Sequence, residues 1–228
     1  MPVCTPEPKT NEHPVLIITK QNSEGHTHTH NRTPMKMSIH LIFLTIIIYS
    51  QPTQISSCHQ NYAVDLVSRA EWGALPSKKP FVNCSKPVLY VIIHHTVYPR
   101  ECRGLNCRNS IRALQQYHFS AGYSDIGYNF LVGTDGIVYE GRGWGVAGAH
   151  TRGYNSVSCG IALIGNFEED EPTNVALEKV KRLVSQGVQN QWIETNYTVI
   201  GHRSFYNTRC PGNNLYAVIT TWDHFGFL

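Results

Sequence analysis

Three features of the sequence predict an α/β fold with a central mixed β-sheet flanked by helices. Two nearly continuous apolar runs, Val88–Ile93 and Cys159–Gly165, are typical of strands buried on both faces of a sheet. The segments Ser110–Phe119 and Thr173–Gln189 place apolar side chains at helical spacing. Because strands and helices alternate along the chain, we expect the helices to pack against one central sheet.

The remaining elements follow from local patterns. Asn109 is expected to cap the first of these helices, because its short side chain can accept from a free backbone N–H. The segment Gly133–Gly136 favours a hairpin turn between strands Tyr128–Val132 and Ile137–Glu140. The final elements are a short strand, Tyr197–Ile200, and a short helix, Leu215–Thr221.

Length and charge set bounds on the class of protein. A chain of 228 residues has room for one domain with a tail, and its net charge of +3 is small. Basic residues are scattered and form no Lys/Arg run, so a nucleic-acid partner is not expected. We expect the domain to be a monomer.

The first 57 residues do not have the pattern of a folded domain. Residues 1–34 are polar and poor in aromatic residues, which predicts a disordered extension that is translated only if Met1 is the start. Residues 35–57 combine a basic start with the apolar run Ile39–Tyr49, which is typical of a signal peptide. That run is short of the roughly 20 residues that span a bilayer. We therefore expect no stable membrane span and a secreted, extracellular domain at 58–228, although use of Met1 leaves an uncleaved anchor open.

Export to an oxidising compartment permits disulfides. Cys102 and Cys107 lie five positions apart in one loop and are predicted to form a local disulfide. Cys58 and Cys84 remain, and sequence does not assign their pairing. Glycosylation is predicted at two sequons, at Asn83 and Asn196.

One loop carries residues suited to chemistry. His202 follows the predicted strand Tyr197–Ile200, and Cys210 lies eight positions later beside a Pro-Gly turn. His94 ends the most apolar strand, and because side chains alternate faces along a strand, only one of His94 and His95 can join a given site. Two His and one Cys would leave a tetrahedral zinc ion one open position, the pattern of catalytic sites. A cysteine nucleophile with a histidine base is the alternative.

Several motifs resemble the peptidoglycan recognition proteins, which are related to the zinc amidases of bacteriophages. The resemblance runs from about Val64 to Phe225 and rests on five segments: Val91–Thr96, Asp125–Gly133, Gly136–Trp144, Gly148–Thr151 and Gly201–Arg203. It implies a central mixed sheet and an L-shaped groove that ends at a zinc site. It also implies a role in innate immunity to bacteria, with bacterial peptidoglycan as the partner.

The resemblance assigns roles residue by residue. His94, His202 and Cys210 match the ligands of Zn²⁺, the expected cofactor, and Tyr128 and Thr208 match catalytic residues. The reaction implied is hydrolysis of the amide between N-acetylmuramic acid and L-alanine, that is, an N-acetylmuramoyl-L-alanine amidase. The predicted substrate-binding residues are Thr96, His118, Gly122, Tyr123, Arg142, Trp144, His150 and Asn155.

Two positions bear on the type of stem peptide. In this family, Gly-Trp before the Asp-Ile-Gly-Tyr segment goes with meso-diaminopimelate (DAP) and Asn-Phe with lysine; here the pair is Gly122-Tyr123. Arg142 matches the arginine that holds the extra carboxylate of DAP, which a guanidinium can bind bidentately. These residues favour the DAP type.

Two other functions compete with the zinc amidase. Non-enzymatic family members, which bind peptidoglycan and trigger immune signalling, typically carry Ser at the Cys position, whereas Cys210 is present here. A hydrolase that uses Cys210 as its nucleophile predicts activity that a chelator does not remove.

Overall fold

The computed structural model describes residues 64–227; the predicted N-terminal extension, the signal peptide and Cys58 lie outside them. The elements in chain order are β1 (Leu66–Val67), α1 (Arg69–Trp72), β2 (Val88–His95), α2 (Gly104–Ser120), β3 (Phe130–Val132), β4 (Val138–Glu140), β5 (Ser158–Leu163), α3 (Asn174–Gln189), β6 (Ile193–Gly201), a 3₁₀ turn (His202–Ser204) and α4 (Asn213–Ile219).

The six strands form one mixed sheet in the order β1-β4-β3-β5-β2-β6. Only the β3–β4 pair is antiparallel, as expected for strands joined by the Gly133–Gly136 turn. The other pairs are parallel, so β2, β5 and β6 end at the same edge. The predicted mixed central sheet is confirmed.

Helices cover both faces of this sheet. On one face, α3 and α4 pack against strand side chains such as Val91 and Ile161. On the other face, α1 and α2 pack against Leu131 and Tyr139. Strand β2 is buried along most of its length because both of its faces are covered, which explains its continuous apolar sequence.

The N-terminus of α2 differs from the prediction. The helix begins at Gly104 rather than at Ser110, and Asn109 lies within it. A carboxylate from a distant turn caps it instead: the backbone N–H of Gly104 donates to Asp135 Oδ2 at 2.7 Å. The prediction was wrong because this cap lies 31 positions away in sequence, where a local pattern does not reveal it.

The disulfide predicted between Cys102 and Cys107 is present, and both residues are buried. Cys84 and Cys159 are free cysteines. Asn83 and Asn196 are exposed, as a glycan acceptor must be, and their glycosylation stays a prediction. Within residues 64–227, no helix is both long enough and apolar enough to cross a bilayer.

A buried carboxylate anchors the segment that leads from α2 into β3. Asp125 is fully buried and accepts from Arg69 Nη2 at 2.7 Å, from Gln115 Nε2 at 2.7 Å and from the N–H of Ile126 at 2.6 Å. These bonds hold the chain just before Tyr128.

We expect Asp125→Ala to lower the free energy of unfolding by about 3 kcal/mol, because it removes the charge partner of the partly buried Arg69 guanidinium and one acceptor of the buried Gln115 amide. The Asp65–Lys179 pair provides a matched control, since Asp65 is 90% exposed. Asp65→Ala should change stability by less than about 0.5 kcal/mol. Urea denaturation of both variants measures the difference, and equal stability would contradict an anchoring role for Asp125.

Candidate active site

The sheet brings His94 and His202 together at one edge. Strands β2 and β6 are parallel neighbours in which Ile93 is paired with Gly201, and the residue that follows each of them in sequence is a histidine. The centroids of the two imidazole rings lie 4.4 Å apart. Two residues 108 positions apart in sequence therefore meet because their strands are in register.

His95 points the other way, as strand alternation predicts. Its Nδ1 accepts from the backbone N–H of Phe167 at 3.3 Å, and its ring stacks on the Phe167 ring. Burial lowers the pKa of His95 to about 4, so the ring is neutral and can accept this bond. The His95 ring thus serves the fold, and His94 is the member of the pair whose ring nitrogens lie with His202 and Cys210.

The loop after β6 delivers Cys210 to the same place. Its Sγ lies 3.6 Å from His94 Nδ1 and accepts from the backbone N–H of His95 at 3.4 Å. Gly212 closes the turn behind it, donating to the carbonyl of Arg209 at 2.7 Å with a φ of 93° that favours glycine. The possible ligand atoms of His94, His202 and Cys210 all lie within 4.8 Å of one another.

These three side chains fit a zinc ion. Zinc bonds of about 2.3 Å to sulfur and 2.0–2.1 Å to nitrogen, at the tetrahedral angle, separate the two atoms by roughly 3.6 Å. The Sγ–Nδ1 separation of 3.6 Å agrees with that value. Burial lowers the pKa of both His94 and His202, which keeps the imidazoles in the neutral form that binds metals.

The protonation of Cys210 disfavours a cysteine nucleophile. Burial raises the pKa of its thiol to about 12, although the His95 N–H and Arg203 act in the opposite direction. Catalytic cysteines need a lowered pKa to supply thiolate at neutral pH. A cation between Cys210 and the two histidines would instead favour the thiolate directly.

A cleft of about 340 Å³ opens over the three residues. Of the predicted catalytic and binding residues, it is lined by Thr96, His118, Tyr123, Tyr128, His150 and Thr208. A larger cavity of about 660 Å³ adjoins it and shares Thr96 and Val97. No His, Cys or carboxylate lines that second cavity, so the cleft is the better candidate for chemistry.

Tyr128 and Thr208 both line the cleft and come from different loops. The Tyr128 ring lies 5.3 Å from the His94 ring, and burial raises the pKa of its hydroxyl, which keeps it a hydrogen-bond donor. Thr208 Oγ1 accepts from the backbone N–H of Cys210 at 3.2 Å, which leaves its hydroxyl hydrogen free to donate.

His118 faces the cleft from the C-terminal part of α2. Its Nδ1 accepts from the backbone N–H of Gly127 at 3.0 Å, so its proton lies on Nε2. Burial lowers the pKa of His118 to about 4. The neutral ring lies 5.1 Å from that of Tyr123 and 5.7 Å from that of Tyr128.

His150 and Asn155 form one unit at the back of the cleft. Asn155 Oδ1 accepts from the backbone N–H of His150 at 2.8 Å and of Thr151 at 2.9 Å. Asn155 does not line the cleft itself, so its contact to the site is through His150. Burial lowers the pKa of His150 to about 3.

Three predicted binding residues lie elsewhere. Trp144 packs against the core, with its ring 4.4 Å from that of Phe130, because an aromatic side chain there fills space beside α3. Arg142 is partly exposed, does not itself line the cleft, and donates to the carbonyls of Ile126 and Ala147. Gly122 ends α2 with a φ of 88°, and its contribution is the turn that positions Tyr123.

Five residues that line the cleft were not predicted: His95, Val97, Gly127, Ala149 and Arg209. Arg209 lies between the predicted site residues Thr208 and Cys210 in sequence, and this position could have identified it as a cleft residue. Val97 adopts a φ of 64°, which is strained for a β-branched side chain, and its N–H donates to the carbonyl of Gly165 at 2.9 Å. No sequence pattern predicts a positive φ at Val97.

Comparison with known proteins agrees with the fold. The family model described as N-acetylmuramoyl-L-alanine amidase matches residues 85–213, which include all three candidate ligands. Peptidoglycan-recognition protein LB of Drosophila melanogaster is 40% identical over 189 residues, or 81% of each chain. The chain belongs to the peptidoglycan-recognition proteins, within the N-acetylmuramoyl-L-alanine amidase family.

Solved structures and a human relative extend the match. The structure of wild-type Drosophila PGRP-LB covers 73% of this chain and 98% of its own, at 40% identity and a TM-score of 0.70. A crystal structure of peptidoglycan recognition protein-LE in complex with tracheal cytotoxin covers 72% and 97%, at 41% identity and a TM-score of 0.69. A human N-acetylmuramoyl-L-alanine amidase is 40% identical over 161 residues, covering 69% of this chain and 28% of the human protein.

Proposed function

We propose that the protein is a secreted zinc-dependent hydrolase that cleaves the amide between N-acetylmuramic acid and L-alanine in bacterial peptidoglycan. The observation that carries this proposal is the convergence of His94, His202 and Cys210, whose ligand atoms lie within 4.8 Å of one another on a cleft. A receptor that only holds its ligand would not need this set. The disulfide between Cys102 and Cys107 supports an extracellular location. A role in immunity to bacteria rests on the peptidoglycan-recognition relatives.

His94, His202 and Cys210 would hold the zinc ion. When bound there, zinc would lower the pKa of a water molecule to roughly 7 and polarise the amide carbonyl. The His95 N–H that donates to Cys210 Sγ helps to stabilise the thiolate. With only three protein ligands, a bound zinc ion would keep a fourth position for water or substrate, as in catalytic sites.

The cleft residues would bind and orient the amide. The Tyr128 hydroxyl, held protonated by its burial, donates to the carbonyl oxygen as negative charge develops on it. Thr208 donates its free hydroxyl hydrogen to the same region. Thr96, His118, Tyr123 and His150 form the surrounding walls and exclude water from the bond that breaks.

The substrate class rests on the relatives. Protein LE binds tracheal cytotoxin, described as monomeric diaminopimelic acid-type peptidoglycan, and it is 41% identical to this chain. Arg142 supports the same stem peptide here. Two of its nitrogens are fixed by backbone carbonyls at 2.8 and 3.0 Å, and Nη2 has no hydrogen-bond partner among residues 64–227. That nitrogen is available to the extra carboxylate of DAP.

We expect Arg142→Ala to weaken binding of a DAP-type muropeptide about 10-fold, the cost of one charge-assisted hydrogen bond. A lysine-type muropeptide, which lacks the carboxylate, should lose less than about 3-fold. Because Arg142 also bonds two wall carbonyls, the ratio of the two affinities is the informative quantity. Calorimetry with both ligands measures it, and equal losses would remove Arg142 from the specificity of the site.

The proposed reaction is tested by its product. The purified protein is incubated with DAP-type peptidoglycan, and the soluble fragments are analysed by mass spectrometry. The proposal expects free stem peptides with L-alanine at a new amino terminus, together with glycan that has lost its peptides. Binding of the polymer without release of such peptides would favour the receptor instead.

A further inference from the structure

We propose that His150 is a positioning residue that fixes the tautomer and orientation of His94. His94 uses Nδ1 toward Cys210, and its other nitrogen, Nε2, lies 3.1 Å from His150 Nδ1. This inference rests on the proposed function, because it concerns how the chain prepares a ligand for the metal. It assigns to His150 a role beyond contact with the substrate.

The two imidazoles are coupled through this hydrogen bond. A histidine that binds a metal through Nδ1 must present a lone pair there, so its proton lies on Nε2. His94 Nε2–H then donates, and His150 Nδ1 accepts, which in turn places the His150 proton on its own Nε2. The neighbouring Thr151 hydroxyl, 3.0 Å from His150 Nδ1, is compatible because a hydroxyl can rotate.

The surroundings hold the His150 ring in this place. A Cβ on Gly148 or on Gly160 would overlap the Cδ2–Nε2 edge of the ring, so the ring packs closely against the backbone of both glycines. Asn155 fixes the backbone on the other side by accepting from the N–H groups of His150 and Thr151. The ring therefore has little freedom to turn away from His94.

A further observation indicates that the bond to His94 is the function of this ring. His150 Nε2 is buried and has no hydrogen-bond partner among residues 64–227. Burying a polar nitrogen without a partner is unfavourable. If the side chain served packing alone, an apolar residue would avoid this cost. A histidine that accepts from His94 through Nδ1 necessarily places its Nε2 in the buried position without a partner.

A pair of variants of similar size separates hydrogen bonding from packing. In His150→Asn the side-chain oxygen can occupy the position of Nδ1 and accept from His94, whereas His150→Leu offers no acceptor. Loss of an outer partner typically weakens metal binding about 10- to 100-fold. We expect His150→Leu to weaken zinc binding by that factor and His150→Asn to remain within about 3-fold of the wild type.

The measurement is zinc affinity by competition with a chromophoric chelator, together with the melting temperature of each zinc-free protein. Equal affinity of the wild type and His150→Leu would overturn the inference, as would equal losses in both variants. If the wild type itself binds no zinc, the proposed function fails as well, so the two failures are distinguishable.

A second measurement uses the wild type and does not depend on the folding of a variant. Long-range ¹H–¹⁵N correlation spectra of the zinc-loaded protein report which nitrogen of each imidazole carries the proton. We expect protons on Nε2 of both His94 and His150. A proton on His150 Nδ1 in the loaded protein would contradict the proposed direction of the bond.

Discussion

Cys210→Ser is expected to reduce amide hydrolysis by on the order of 10³-fold, which corresponds to about 4 kcal/mol of transition-state stabilisation. A neutral hydroxyl is a much poorer zinc ligand than a thiolate, so the substituted site would lose its metal at ordinary zinc concentrations. Binding of peptidoglycan should change by less than about 3-fold, because most of the residues that line the cleft come from other elements. Turnover on peptidoglycan and a sedimentation assay with the insoluble polymer measure the two effects.

Cys84→Ser is the matched control for that variant. Cys84 is also a free cysteine, but it packs against the core next to the backbone of Gly145 and does not line the cleft. Hydrolysis by Cys84→Ser should equal that of the wild type. Undiminished turnover in Cys210→Ser would exclude this residue both as a zinc ligand and as a nucleophile.

Tyr128→Phe is expected to lower kcat about 10²- to 10³-fold, the usual cost of removing one donor to a developing oxyanion. The change deletes only the hydroxyl, so the ring should keep its packing against His94 and His118. KM should change little, since the bond forms mainly in the transition state.

Tyr90→Phe provides the comparison for Tyr128→Phe. Tyr90 lies on β2, the strand that carries His94, but its ring contacts Tyr154 and does not line the cleft. Removal of the Tyr90 hydroxyl in Tyr90→Phe should leave kcat unchanged. A rate for Tyr128→Phe within about 3-fold of the wild type would show that the hydroxyl does not stabilise the transition state.

The parts of the fold that follow from periodicity were predictable. The helix Asn174–Gln189 lies within one residue of its predicted bounds, because its apolar stripe and its cap, Thr173, are local in sequence. The proximity of His94 and Cys210 was also predictable from the sequence. The position of His94 at a strand end, the alternation of side chains along the strand and the spacing of His202 and Cys210 restrict where these side chains can lie.

Features that depend on tertiary contacts were not predictable. The start of α2 is set by Asp135, which reaches it only through the β3–β4 turn. Trp144 lies in a motif that suggests a ligand contact, yet its side chain packs on the core. A sequence motif identifies which residues occur together along the chain, but it does not show which of their side chains are buried in the core and which line the cleft.

The dependence of hydrolysis on zinc tests the central claim most directly. The purified protein is stripped with a chelator, dialysed, and assayed on DAP-type peptidoglycan before and after one equivalent of zinc is restored. We predict that release of stem peptides stops on stripping and returns with zinc, while binding of the polymer persists throughout. Hydrolysis that continues at full rate in the stripped, metal-free protein would contradict the proposed role of His94, His202 and Cys210.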